Sequence, residues 1–256
     1  TADASHAIGE WRNDPAWARE WRAAGWAAWR TIPMPTSTTE GWRRTPLSII
    51  DVDQVHAVAA PGTPVRHAED LPEAIRALVG NGASHAATVV QSNGTTVLAE
   101  ISDEARDAGV IVCDIHEAFH RHPDLVREHL GTLVPARWQP GMPSNAGKFE
   151  ALNAAFFTGG LFVYVPNGVE VSLPVRALNW HADTDAGFFP RSLIIVGENA
   201  RLAFLEEYAS IAAPDGGHPI FGSAVVEVFV TEIERVGLHR WRDEAHDESR
   251  HHADDD

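Results

Sequence analysis

The spacing of apolar residues changes along the chain, and that change divides it. Between residues 14 and 30 the tryptophans recur at helical intervals. Trp17 and Trp21 share a face by i,i+4 spacing, and Trp26 and Trp29 fall roughly opposite them. Asp14 is placed to cap this helix, Pro15 sits where a first-turn proline is tolerated, and Pro33 and Pro35 lie beyond its end. A helix with tryptophan on two sides needs cover on two sides. The pattern predicts a helix sandwiched within its own protein, with a partner-docking helix as the alternative.

After a Pro- and Thr-rich connector over 32–48, where Ser37 or Thr39 can cap a short turn holding Trp42, the elements are short. Leu71 to Val79 reads as a helix with Pro72 near its start and Gly80 as its stop. Ala87–Gln91 and Thr95–Glu100 flank Ser92-Asn93-Gly94, a hairpin signal. Ser102 can cap a helix ending at Gly109, and Val110–Cys113 is an apolar strand. Helices over Ile115–Arg121 and Asp124–Leu130 follow, the second stopped by Gly131. The loop-like segment 135–147 precedes a helix over Phe149–Phe157.

From Gly160 the helical period gives way to short strands and tight turns. Leu161–Val165 is an apolar run; Val169, Val171 and Leu173 alternate with polar residues; Ser192–Val196 is apolar again. The turn 197–200 leads through Leu202, Phe204 and Leu205 into Glu206-Glu207, and Ala224–Val230 forms the last strand. This block is all-β. A sandwich, a cupin-like barrel and a β-helix fit it equally, and no strict short repeat selects among them.

Charge follows the same division. Of the 256 residues, 20 are basic and 36 acidic, a formal net charge of −16, which argues against a nucleic-acid binder driven by counterion release. Residues 151–230 carry 11 charges and 231–256 carry 13, so the middle reads as packed core and the end as a disordered charged tail. The partition expected is 1–147, 148–230 and 231–256. No apolar stretch approaches the ~20 residues that span a bilayer, and the N-terminus lacks a signal-peptide layout. Cys113 is alone, which excludes an intrachain disulfide and a cysteine-only metal cage and suits a cytoplasmic setting.

Several segments, in order, carry a family likeness: DPAWAREWRAAGWAAWRTIPMPTSTTEGWRRTPL at 14–47, VVQSNGTTVLAEISDEARDAGVIVCDI at 89–115, HPDLVREHLG at 122–131, KFEALNAAFFTGGLFVYVPNGVEVSLPV at 148–175 and RSLIIVGENARLAFLEEYAS at 191–210. Together they resemble the SufB/SufD family of iron–sulfur cluster assembly scaffolds, nearer SufD. The resemblance implies an α+β, partly helical N-terminal region followed by an all-β right-handed parallel β-helix. It also implies a non-catalytic scaffold that pairs with SufB, binds the ATPase SufC and receives sulfur from a cysteine desulfurase system. The cluster is then handled by the complex, with no cofactor of this chain's own. The likeness stops near Thr231, so the β-helix expected is truncated, and the chain reads as a shortened or frameshifted relative with an open strand edge. The family positions proposed to hold sulfur or the nascent cluster have no counterpart here. No catalytic, cofactor-binding or metal-binding residue is therefore assigned, and Cys113 is not given that role.

One motif offers a different chemistry. His116-Glu117-Ala118-Phe119-His120 matches the H-E-x-x-H pattern, in which two imidazoles one helical turn apart grip zinc and the glutamate activates bound water. A zinc metallohydrolase is thus the alternative function, with Glu128 as a conceivable third ligand. A strand ending just before His116 and Pro123 just after His120 make a poor context, and a surface helix with chance histidine spacing is the simpler account. His181 and His218 lack the clustered pattern of a cupin metal site. His246, His251 and His252 sit among acidic residues of the tail, where loose metal binding competes with plain solvation. Glu206-Glu207 could pair with a partner's arginine, with solvation again the simpler reading.

Overall fold

The computed structural model describes residues 1–39, 42–45, 47, 56, 61–80, 84–136, 147–181, 186–210 and 221–231. In chain order its helices are α1 (Ala2–Trp11), α2 (Ala16–Thr31), α3 (Glu73–Val79), α4 (Asp103–Asp107), α5 (Ile115–Arg121), α6 (Pro123–His129) and α7 (Lys148–Phe156). The strands are β1 (Ala87–Ser92), β2 (Thr95–Ile101), β3 (Ile111–Asp114), β4 (Leu161–Val165), β5 (Val175–His181), β6 (Arg191–Val196), β7 (Phe204–Ser210) and β8 (Val225–Val230). Among the described residues no helix is long and apolar enough to cross a membrane.

The strands form two sheets, ordered β2-β1-β5-β7 and β3-β4-β6-β8. The first pair of each is antiparallel; every later pairing is parallel. From β4 onward the chain alternates between sheets, and each circuit lays its strand beside the strand of the circuit before. Phe162 pairs with Leu193, and Val175 with Phe204, an advance of roughly 30 residues. No strict sequence repeat accompanies that advance. The barrel and the antiparallel sandwich are set aside: among the described residues the sheets are mostly parallel and no barrel closes.

Burial on both faces explains the apolar runs. Leu161, Val163 and Val165 of β4 meet Val89 and Ala177 of the other sheet across the interior, with Ile194 and Val196 beside them. Phe162, Leu193 and Ile195 point the other way, into a core shared with α2, α5 and α7. On the far side, Leu71, Ile75 and Val79 cover Val90, Leu98 and Leu178.

The tryptophan helix is sandwiched, as the first reading holds. Its buried stripe is Ala18, Arg22, Gly25 and Ala28, small enough at 18, 25 and 28 for close approach to α7. A Cβ on Gly25 would lie 2.9 Å from Ala154 Cβ. The tryptophans flank this ridge and each meets a phenylalanine: Trp17 with Phe119 at 5.0 Å between centroids, Trp21 with Phe157 at 5.7 Å, Trp26 with Phe156 at 5.7 Å and Trp29 with Phe149 at 6.2 Å. Lys148, the chain's one lysine, closes the far end of α2. Its ammonium donates to the carbonyls of Trp29 and Ile32, the latter at 2.7 Å, and sits 3.8 Å from the Trp29 ring centroid.

Two expectations are corrected. Asp14 does not cap α2; Pro15 holds that position, and the Asp14 carboxylate turns inward to Arg22 and His116. The alternating residues 169–173 form no strand. That stretch is a corner between sheets, bridged only at Glu170 to Arg201, while Val169 and Val171 pack on the interior. The strand lies just beyond, in β5, where Arg176 and Asn179 interrupt the apolar signal. Helix α1, which Thr1 caps by accepting from Ala4 N, was not anticipated; its buried face is Ser5, Ile8 and Gly9, with one large apolar residue. The hairpin turn at Asn93 and Gly94, with φ of 51° and 75°, and the Ser102 cap on Ala105 N at 3.2 Å match their expectations.

Gly160 tests the packing most directly. Its φ is 139°, and a Cβ there would lie 1.8 Å from the Arg191 carbonyl oxygen. Gly160→Ala is expected to destabilise the protein by ~3 kcal/mol or more, read from urea unfolding, because left-handed strain and backbone overlap add.

Candidate functional site

The helical layer meets the β3-β4-β6-β8 sheet through charged groups that it buries. Asp14 lies in the elbow between α1 and α2, and Arg22 projects from the buried stripe of α2. Arg22 Nε donates to Asp14 Oδ2 at 2.6 Å, and the other carboxylate oxygen is 2.6 Å from His116 Nδ1. The three side chains are at most 4% exposed. The guanidinium carbon lies 3.7 Å from the Phe157 ring centroid, and the His116 ring stacks on the same phenylalanine at 5.1 Å. Burial pulls Arg22 down to about 10, which leaves it cationic at neutral pH. Burial pushes the Asp14 carboxyl up, but the His116 hydrogen bond and the Arg22 charge outweigh it and hold the group below its ordinary value. Burial also lowers His116, so its imidazole is neutral at pH 7 and donates Nδ1–H to the carboxylate.

Beside this triad is a more exposed pair. Arg12 Nη2 donates to Asp114 Oδ1 at 2.7 Å, Thr96 Oγ1 donates to Asp114 Oδ2 at 2.7 Å, and Asp114 caps α5 by accepting from His116 N at 2.9 Å. Arg12, Asn13, Thr96, Asp114, His116, Glu117 and His120 line an open cleft of about 400 Å³.

The zinc-like motif therefore lies on this cleft, but its side chains serve other partners. His116 Nδ1 belongs to Asp14 and its ring to Phe157 and Phe119. His120 Nε2 is 2.9 Å from the Asn13 carbonyl oxygen, and Glu117 pairs with Arg121 one turn on. Glu128 is exposed on α6. Among the described residues no group of three or more His, Cys, Asp or Glu could hold a metal ion. Nothing in this geometry supports the hydrolase alternative.

A second cluster ties the latest described strand to the helices. Arg191 Nη2 on β6 donates to Glu227 Oε2 on β8 at 2.8 Å, both side chains fully buried. The Glu227 carboxylate also accepts from the backbone N–H groups of Gly131, Leu133 and Val134 at 2.9–3.1 Å. Arg191 reaches Asn153 Oδ1 at 3.1 Å and the Val134 carbonyl at 2.6 Å, beneath the Trp21 ring. These bonds fix the turn after α6 to β8.

The remaining candidates separate. Cys113 is buried, and desolvation pushes its thiol up to about 12, which makes it a poor nucleophile. His181 is buried and lies against Phe188. Glu207 pairs with Arg176 of its own chain, and Arg176 donates to the carbonyls of Leu78 and Val79 at the end of α3. His218, His246, His251 and His252 lie outside the described residues. Arg22, Arg191 and Glu227 escaped the sequence reading. Their signal was a charge set in an apolar pattern: Arg22 in line with Ala18, Gly25 and Ala28 on one helix stripe, and Glu227 within AVVEVFV, where it faces inward while Val226 and Val228 are exposed.

Residues 12–177 match the family model of the SufBD protein N-terminal region. The chain is similar to the iron–sulfur cluster assembly protein SufD of Bacillus subtilis, 29% identical over 208 residues, which cover 80% of this chain and 44% of that protein. It is 30% identical over 211 residues to an iron–sulfur cluster assembly SufBD family protein of Synechocystis, covering 76% and 40% of the two chains. A SufBD family protein of Mycobacterium tuberculosis is 29% identical over 204 residues, with coverage of 76% and 22%. The chain spans less than half the length of these relatives.

Two predictions follow the buried charges. His116 binds protons less well folded than unfolded, so its stabilising effect is complete above its ordinary value of 6.5 and is lost as pH falls below it. Asp14, also lowered, acts in the same direction at still lower pH. Stability should therefore fall on acidification from pH 7, and His116→Gln should flatten the first part of that fall in denaturant titrations at several pH values. Separately, Glu227→Ala leaves Arg191 and three backbone donors without their acceptor. It is expected to cost ~3–5 kcal/mol, with exchange of the 131–134 amides accelerated in hydrogen-exchange measurements.

Proposed function

The chain belongs to the SufBD family, and on that premise we propose that it acts as a SufD-like, non-catalytic scaffold component in iron–sulfur cluster assembly. The cluster is cargo of the assembly, not a resident group of this chain. Its partners are SufB and the ATPase SufC, with sulfur supplied by a cysteine desulfurase system, and its setting is the cytoplasm. In this reading β4 to β8 are the opening circuits of a right-handed parallel β-helix, residues 148–230 its core domain, and 1–147 the helical and α+β region that precedes it.

The observation that carries the reading is the alternation of β4, β5, β6, β7 and β8 between two mostly parallel sheets. Each circuit rests on the one before, which yields a stiff stack whose surfaces hold fixed relative positions. Such stiffness suits a component that positions partners. The cleft at Asp114 supports no competing chemistry, since its histidines and carboxylates are committed to neighbours within the chain.

The deciding experiment is co-purification. Tagged chain, expressed with SufB and SufC, is expected to retain both through gel filtration. His120→Ala should leave that retention unchanged. Failure to hold either partner, or stoichiometric zinc that is lost in the His120→Ala variant, would overturn the proposal.

A further inference from the structure

We propose that Asn167-Gly168 is a self-modification site whose reaction the next circuit of the chain holds in check. It occupies the exposed corner after β4, with Gly168 at φ 72°. Asparagine followed by glycine is the pairing least hindered toward deamidation, since glycine puts no Cβ in the path of its own nitrogen. In that reaction the Gly168 backbone nitrogen bonds to Asn167 Cγ, the Cγ–Nδ2 bond breaks, and the amide proton leaves with Nδ2 as ammonia. Water then opens the resulting succinimide at one of its two C–N bonds, giving aspartate or isoaspartate. Water enters and ammonia departs, so no other reactant is required.

Both reacting groups are held by one residue of the following circuit. Asn167 Oδ1 accepts from Glu198 N at 2.9 Å, and Gly168 N donates to Glu198 O at 2.7 Å. The nucleophile's hydrogen is thus engaged, and the carboxamide is anchored toward the neighbouring backbone. Gly197 makes this approach possible: a Cβ there would lie 2.3 Å from Asn167 Oδ1 and 2.7 Å from Asn167 N. Cyclisation requires both bonds to open, which means that the corner of the second circuit lifts from the first.

The product records the event. Aspartate at 167 adds a negative charge beside Glu198, and isoaspartate adds a backbone carbon where two corners must stack. Aspartate keeps an oxygen that can accept from Glu198 N, but neither product returns to asparagine, so each opening that ends in chemistry is permanent. The pair Asn93-Gly94 is held differently: Asn93 N donates to Trp180 O at 2.9 Å, and Gly94 is wedged against Thr158. Asn81-Gly82 lies outside the described residues.

The test compares the full chain with a synthetic peptide of residues 162–172 in mildly alkaline buffer, following the one-dalton mass gain and isoaspartate content at position 167. The folded chain is expected to react at least about tenfold more slowly, as local opening must precede cyclisation. Gly197→Ala, confirmed folded by circular dichroism, should move the rate toward that of the peptide. Should that variant fail to fold, urea below the global transition is applied to the unaltered chain, where the modification rate and Gly168 amide exchange should rise together. A folded chain that reacts as fast as the peptide overturns the proposal. So does an unchanged rate in folded Gly197→Ala, or a rate that stays flat while Gly168 exchange increases.

Discussion

The structure depends on neutralising charge that has been taken out of water. Arg22 and Asp14 lie inside the helical layer, and Arg191 and Glu227 lie between that layer and the sheet behind it. An isolated ion in either place would be costly, and each pair is tolerable because further hydrogen bonds complete it. Such bonds are directional where apolar contacts are not. They fix how the tryptophan helix sits on the strands, and the surrounding aromatic rings then fill whatever space that geometry leaves.

The two clusters also divide the work. Asp14, Arg22 and His116 join α1, α2 and α5, which are near in space but far apart in sequence. Arg191 and Glu227 join successive circuits to the turn after α6. Parallel pairing alone would connect each circuit only to its neighbours. Here the helical layer spans more than one circuit, with Phe162, Leu193 and Phe229 all touching the same aromatic core. The stack is therefore bound along its length by a second structure laid across it.

Much of this was legible in the residues because local physics decided it. Pro72 and Gly80 mark α3, Asn93-Gly94 marks a hairpin, and Ser102 marks a helix start; each acts within a few positions of itself. What escaped was decided at a distance. Asp14 has the chemistry of a cap, but a neighbouring proline and two partners, one of them on a distant helix, claim it. Strand β5 is buried on both faces while carrying Arg176 and Asn179, whose partners lie on α3 and β7, and no window around them reveals those partners. The H-E-x-x-H spacing was visible, and its meaning was not: the two imidazoles bond to Asp14 and to the Asn13 carbonyl. The parallel stacking came from family likeness, since no motif recurs from one circuit to the next in the sequence.

Lys148 has a practical side. In a chain of 256 residues it is the only side-chain primary amine, and its hydrogens are directed at two carbonyls inside the fold. Reagents that acylate or cross-link through lysine find no ready target among the side chains of the native form. Labelling at this position would instead signal that α2 has come away from α7, making the residue an intrinsic tamper seal for the helical layer.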